Sequence, residues 1–150
     1  MISPTALTAF DVLSIPSWAS KITIVINSIA VAAAAQIIFK LGKLGEYATG
    51  ISYEGWTENM NSAVSGSAWG SGIEILNGTA AQTEHIGTIT LIRPNVNVND
   101  WVVTGIVYYT AGISHLVGKV TMNGDLAQIR LTTETGTVNF TNKDFSVRYE

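Results

Sequence analysis

The sequence predicts an all-β protein, an antiparallel β-sandwich of about eight to ten strands. Three observations support this. Stretches of about five to nine residues rich in Ile, Val, Thr, Tyr and Phe recur along the chain, and clusters of Gly, Asn or Asp close them. Within many stretches apolar and polar residues alternate, the period of a strand with one buried face. No remaining segment reads as a helix.

The first strand is expected near 8–14, at the end of an apolar N-terminal arm, MISPTALTAFD. The next stretch, residues 21–43 (KITIVINSIAVAAAAQIIFKLGK), has no charge between Lys21 and Lys40. It approaches the roughly 18–20 apolar residues of a membrane span. Asn27, Ser28 and Gln36 interrupt it, however, with groups that hydrocarbon does not satisfy. A signal peptide would begin with basic residues, whereas a leader containing Pro4, Asp11 and Pro16 precedes this run. Ile22, Ile24 and Ile26 alternate with Thr23, Val25 and Asn27, and Ile37, Phe39 and Leu41 alternate with Ile38 and Lys40. That pattern gives strands near 21–28 and 36–41, facing the core through the first-named residues. A helix from Ser28 to Leu41 would bury β-branched residues on every face, so the alanine-rich run at 30–35 is expected as a connection.

Further strands are expected near 72–76, 85–92, 101–110, 115–122, 126–133, 137–140 and 144–149. The turns are Leu44-Gly45, Asn77-Gly78, Arg93-Pro94-Asn95, Ala111-Gly112, Asn123-Gly124 and Thr135-Gly136. Asn123-Gly124 is the clearest hairpin signal, because both residues tolerate the positive φ of a type I′ turn. Phe145, Val147 and Tyr149 point inward with Ser146, Arg148 and Glu150 outward, and Ile129 and Leu131 also face the core. In 101–110 the inward set is either Val103, Val107 and Tyr109 or Val102, Ile106 and Tyr108. Residues 45–71 show no strong period and are expected to form an excursion at one end of the sandwich. The organisation is thus an arm and first strand at 1–14, then one β-sandwich domain at 15–150.

At 150 residues and 16.0 kDa the chain is one domain of ordinary size. Only 13% of residues are charged while 47% are hydrophobic, so Thr, Ser, Asn and Gly must cover most of the surface. Such a surface suits stable assembly with other subunits. A net charge of −3 and the lack of a Lys/Arg cluster argue against nucleic acid and against an anionic membrane surface. With no cysteine, disulfides and Cys-based zinc sites are excluded.

No catalytic, cofactor or metal site is predicted. His85 and His115 stand in no metal or triad spacing, and the nucleophile elbow, the zincin motif, the P-loop and the dinucleotide fingerprint are all missing. Residues 95–100 (NVNVND) offer oxygens at alternate positions but one carboxylate, which suits a turn better than calcium. The one candidate ligand surface is Tyr47, Tyr53, Trp56 and Trp69 in the 45–71 segment, set among Glu, Asn and Ser. Those rings can anchor the segment, form a subunit interface, or stack on sugar.

The segment Ile15-Pro16-Ser17-Trp18-Ala19-Ser20-Lys21-Ile22-Thr23 resembles the opening of a β-sandwich module of tailed-bacteriophage structural proteins, roughly Ile-Pro-Ser-Trp-Ala-Lys-Arg-Ile-Thr. Lys40-Leu41-Gly42 is similar to its Gln-Leu-Gly, and Trp101-Val102-Val103-Thr104-Gly105 to its Trp-Val-x-x-Gly strand. Leu126-Ala127-Gln128-Ile129-Arg130-Leu131-Thr132-Thr133, Gly136-Thr137, Phe140 and Tyr149-Glu150 resemble its closing strands. Gln128, Asn142-Lys143 and the alanine run depart from the pattern.

The resemblance implies a jelly-roll-like sandwich in which strands 21–28 and 36–41 are neighbours. It also implies a virion protein on the outer surface of the particle. The leading expectation is a capsid decoration or cement subunit, a homotrimer bound to the major capsid protein, with Ile2, Leu7 and Phe10 of the arm docking on the shell. The alternative is a fibre-tip module that binds host-surface carbohydrate. Within this pattern Trp18 is expected to plug the core at one end, and Arg130 to point away from Ile129 and Leu131 into solvent or a subunit contact.

Overall fold

The structure, a computed structural model, describes residues 7–47, 50–60, 65–75, 81, 83–95 and 97–150. These form eleven strands, β1 (Ala9–Leu13), β2 (Lys21–Val31), β3 (Ile37–Gly42), β4 (Ile51–Met60), β5 (Ser65–Ala68), β6 (Ile73–Glu74), β7 (His85–Ile92), β8 (Asp100–Tyr109), β9 (Gly112–Met122), β10 (Gln128–Thr133) and β11 (Phe140–Tyr149). Two antiparallel sheets pack face to face, one in the order β1-β10-β3-β6 and the other in the order β11-β2-β7-β8-β9-β4-β5. Without β8, β9 and β11 the order is 1-10-3-6 over 2-7-4-5, the winding of a jelly roll. The β8–β9 hairpin is inserted between β7 and β4, and β11 extends the large sheet beyond β2.

Alternation builds the core. Ile22, Ile24 and Ile26 of β2 and Ile89 and Leu91 of β7 meet Phe39 and Leu41 of β3 and Ile129 and Leu131 of β10, all fully buried. On β8 the buried set is Trp101, Val103, Val107 and Tyr109, so Val102, Ile106 and Tyr108 face outward. Phe145, Val147 and Tyr149 of β11 pack against this core, with the Phe145 ring edge-on to Phe39 at 5.7 Å. The carbonyl of Glu150 accepts from the N–H groups of Ser20 and Lys21, which ties the last strand to the start of β2.

Several sequence expectations are corrected. Residues 45–71 are mostly not an end excursion: β4 pairs with β9 over its whole length and with β5 on its other side. Its inward residues Thr57 and Asn59 are as polar as its outward Ser52, Glu54 and Glu58, which erases the alternation in sequence. Strands 21–28 and 36–41 are not neighbours but lie in opposite sheets, joined by the crossing at 32–36. Asn123-Gly124 is not a hairpin: β9 stays in the large sheet while β10 joins β1 and β3, so this dipeptide starts the crossing between sheets. Positive φ is confined, among the described residues, to Ser14, Gly45, Gly50 and Gly136. The expected strands 137–140 and 144–149 are replaced by one continuous strand, β11, that begins at Phe140 and leaves 137–139 outside it, and its pairing with β2 slips between Phe140 and Asn142 and between Asp144 and Phe145. Trp18 is 68% exposed, because the turn closed by Ala19 N–H on the Pro16 carbonyl buries Ala19 instead. The turn Asn77-Gly78 lies outside the described residues.

Candidate functional site

The large sheet has a second face, opposite the core, and strand register places its residues in rows. At the end near the β1–β2 connection, Ile92, Val102, Lys119 and Glu54 are successive cross-strand partners on β7, β8, β9 and β4. The next row is Thr23, Thr90, Thr104, Val117 and Trp56, beginning on β2. Then come Val25, Thr88, Ile106, His115 and Glu58. The last row is Ile86, Tyr108, Ile113 and Met60, each substantially exposed. On the central strand β8, Ile106 is 53% and Tyr108 55% exposed.

This face is apolar at one end, rich in threonine at its centre and weakly charged. Its acidic pair, Glu54 and Glu58, stands opposite Lys119 and His115 on the neighbouring strand. A shallow depression of about 410 Å³ lies at the centre, over the backbone of Gly105 and Leu116, rimmed by Thr88, Thr90, Thr104, Ile106 and His115. Scattered exposed apolar residues are ordinary, whereas a contiguous apolar field across four strands marks an interaction surface.

The four aromatic candidates do not meet on one platform. Trp56 belongs to the outer face, 48% exposed, its indole lying over Gly66 of the edge strand β5. Trp69 is 6% exposed, inside the core against Gly55 and Gly118, and its Nε1 donates to Thr57 Oγ1 at 2.8 Å. Tyr53 turns inward, and its hydroxyl accepts from the Leu41 N–H at 2.8 Å; burial pushes its pKa up to about 12. Tyr47 lies under the Arg130 guanidinium, 4.3 Å from ring centroid to Cζ, and its hydroxyl donates to Asp11 Oδ1 at 3.0 Å. Burial and then the neighbouring Asp11 carboxylate push the Tyr47 pKa upward.

Of the arm candidates, Phe10 stands in β1, edge-on to Phe140 at 5.7 Å with Lys143 Nζ 4.2 Å from its ring. Leu7 is exposed, and its carbonyl accepts from Phe140 N–H. Ile2 lies outside the described residues. Arg130 makes a two-pronged pair with Asp11 instead of facing open solvent.

The buried polar groups serve the fold. Glu74 accepts from Ser67 at 2.6 Å and Gln36 at 3.1 Å, while its carbonyl accepts from Thr57. His85 lies in the core with Nδ1 3.0 Å from the Ile29 carbonyl, and burial holds its pKa below the usual value. Asn95 Oδ1 accepts from Asn97 N–H at 2.9 Å, the amide-built turn that the 95–100 pattern suggested. Among the described residues no three His, Asp or Glu side chains cluster as metal ligands, and no helix is long and apolar enough to cross a membrane.

Sequence reasoning missed Ile86, Ile106, Tyr108, Ile113 and Val117 as surface residues. The available signal was the doubly apolar run Val102-Val103-Thr104-Gly105-Ile106-Val107-Tyr108-Tyr109: two equally good inward registers mean that whichever face is buried, the other is an apolar surface. No protein-family model and no curated protein sequence matches the chain.

Proposed function

We propose that the chain is a structural subunit of a phage particle, a decoration or cement protein on the outer surface of the capsid that acts through contacts with its own copies and with the major shell protein. The observation that carries this is the outer face of the large sheet: a wide, weakly charged, apolar and threonine-rich surface on a rigid sandwich. Such a surface suits permanent assembly better than steering of a charged ligand. The mechanism is linkage. A subunit that binds only the assembled lattice stabilises that lattice, by an amount that grows with its free concentration relative to the dissociation constant. The virion setting comes from the resemblance of residues 15–23, 40–42, 101–105, 126–133, 136–137, 140 and 149–150 to the phage module.

A second reading is a fibre tip that binds host carbohydrate, favoured by Trp56 on the same face as the depression rimmed by Thr88, Thr90, Thr104 and His115. Counting copies of the chain per purified particle against the major shell protein separates the two. Hundreds of copies support the shell role, while a few to a few dozen support the fibre. Absence from purified particles removes both.

A further inference from the structure

We infer that the outer face of the large sheet packs against the same face of a second copy, about a two-fold axis running along β8. The inference rests on the reading of the chain as an assembly subunit and specifies the partner at that face. Three arguments lead to a second copy.

The first is size. At about 4.8 Å per strand and 3.3 Å per residue, the five strands β2, β7, β8, β9 and β4 across four outward rows cover about 550 Å² in projection. Side-chain relief adds to this, which brings the face to the roughly 600 Å² per partner at which specific interfaces begin.

The second is charge. Lys119 stands opposite Glu54, Lys21 is paired with Glu150 at 2.8 Å, and Arg148 of β11 lies beside Thr23 on the same face, so its acidic and basic side chains nearly balance and a copy meeting its own image encounters no large excess of like charge.

The third is self-complementarity. β8 is the middle strand of the five, and rotation about it lays β9 over β7 and β4 over β2. Ile106 then meets Ile106, Tyr108 meets Tyr108, Ile113 lies over Ile86 and Val117 over Thr90. Glu54 comes opposite Lys21 of the second copy. The other in-plane axis, across the strands, would set Ile106 on Thr104 and Ile113 on Lys119, whereas rotation about β8 keeps apolar on apolar along the central strand and places Lys119 over Ile92 and Glu58 over Val25 away from it. An isologous contact of this kind closes at two copies and leaves the small sheet and both ends of the sandwich free for the shell.

The test uses the full chain, which has no native cysteine. Sedimentation should give a dimer for the wild type and a monomer for Ile106→Lys, with circular dichroism unchanged because Ile106 is outside the core, and with a melting temperature that depends on protein concentration in the wild type but not in the variant. Leu13→Lys, an exposed site on the small sheet, should remain dimeric. Thr104→Cys should cross-link to itself with a bis-maleimide of about 10 Å span, the separation of packed sheets, and Leu13→Cys should not. A monomeric wild type, or a trimer in which Thr104→Cys fails to cross-link, overturns the inference. A monomer present in hundreds of copies per particle would leave the shell role standing, whereas a cross-linked dimer absent from particles would remove that role and keep the interface.

Discussion

Arg130 grips Asp11 side-on, with Nε 2.7 Å from Oδ1 and Nη2 2.8 Å from Oδ2, and so fastens the edge strand β1 to β10. Tyr47 completes the clamp from below. The Arg130 hydrogen bonds hold the Asp11 carboxyl below its ordinary value of 3.8, against an opposing push from burial. A lowered folded-state pKa gives stability that is complete above the unfolded value and fades as pH falls below it. Asp11→Asn should therefore cost about 1 kcal/mol or less at neutral pH, since the pair is partly exposed. The difference between wild type and variant should shrink as melting is followed from about pH 5 to pH 2. A difference that persists at the acid end would mean the carboxylate is not its source.

His85 should supply a second acid transition at higher pH. Its ring is fully buried, stacked on Tyr109 at 6.3 Å, and Nε2 has no hydrogen-bond partner among the described residues. Burial keeps the folded-state pKa below 6.5, so the unfolded chain takes up a proton first as pH drops, and stability falls from about 6.5 downward. His85→Phe should flatten the melting profile between pH 7 and 5, at a cost of about 1 kcal/mol at pH 7 for the lost bond to the Ile29 carbonyl. An unchanged slope in the variant would place the titration elsewhere.

These elements also mark what a single sequence could disclose. Strands whose two faces differ, such as β2 with Ile22, Ile24 and Ile26 against Thr23, Val25 and Asn27, were legible because period 2 encodes which face is buried. β4 was not, since its inward polar groups are satisfied by distant partners: Thr57 by Trp69 and Glu74, and Asn59 by Ser114. No local pattern can announce such partners. β8 was legible as a strand but ambiguous in face, and that ambiguity was the sign of the outer surface. Which sheet each strand joins is decided by non-local pairing, so Asn123-Gly124 carried a turn signal without the information that the turn leaves the sheet. Of the aromatic candidates only Trp56 reached the face, because side-chain direction alternates along β4 and separates it from Tyr53.

Tyr53 offers an alkaline counterpart to the two carboxyl and imidazole tests. Burial raises its pKa to about 12 from 10.0, so the folded state keeps its phenolic proton longer than the unfolded chain does. Its contribution is complete below the unfolded value and is lost as pH climbs from 10 towards 12. Tyr53→Phe should cost about 1–2 kcal/mol at pH 7, because the Leu41 N–H loses its acceptor. The variant should also melt with a shallower pH dependence above 10, read by calorimetry; a slope as steep as that of the wild type would count against Tyr53 as the titrating group.

The slot that receives Trp69 gives the most demanding test of packing. Gly55 and Gly118 are direct cross-strand partners on β4 and β9, and the indole lies against both. A methyl group added at Gly118 would come within 2.5 Å of Trp69 Cζ3, 2.6 Å of Gly55 Cα and 2.7 Å of the Glu54 carbonyl oxygen. Two of those neighbours are backbone, so the strain cannot be relieved by turning one side chain. Gly118→Ala should lose about 2–3 kcal/mol, a fall in Tm of about 5–10 °C at this chain length. Trp69→Leu alone should lose about 3 kcal/mol through the cavity and the loss of the indole N–H bond to Thr57, whose hydroxyl keeps its bond to the Glu74 carbonyl. If the slot is the shared cause, the double variant Gly118→Ala with Trp69→Leu should be less destabilised than the sum of the two, since the new methyl fills part of the vacated space. Strict additivity in urea unfolding would mean that the two sites act independently and that the glycine pair is not the seat of the tryptophan.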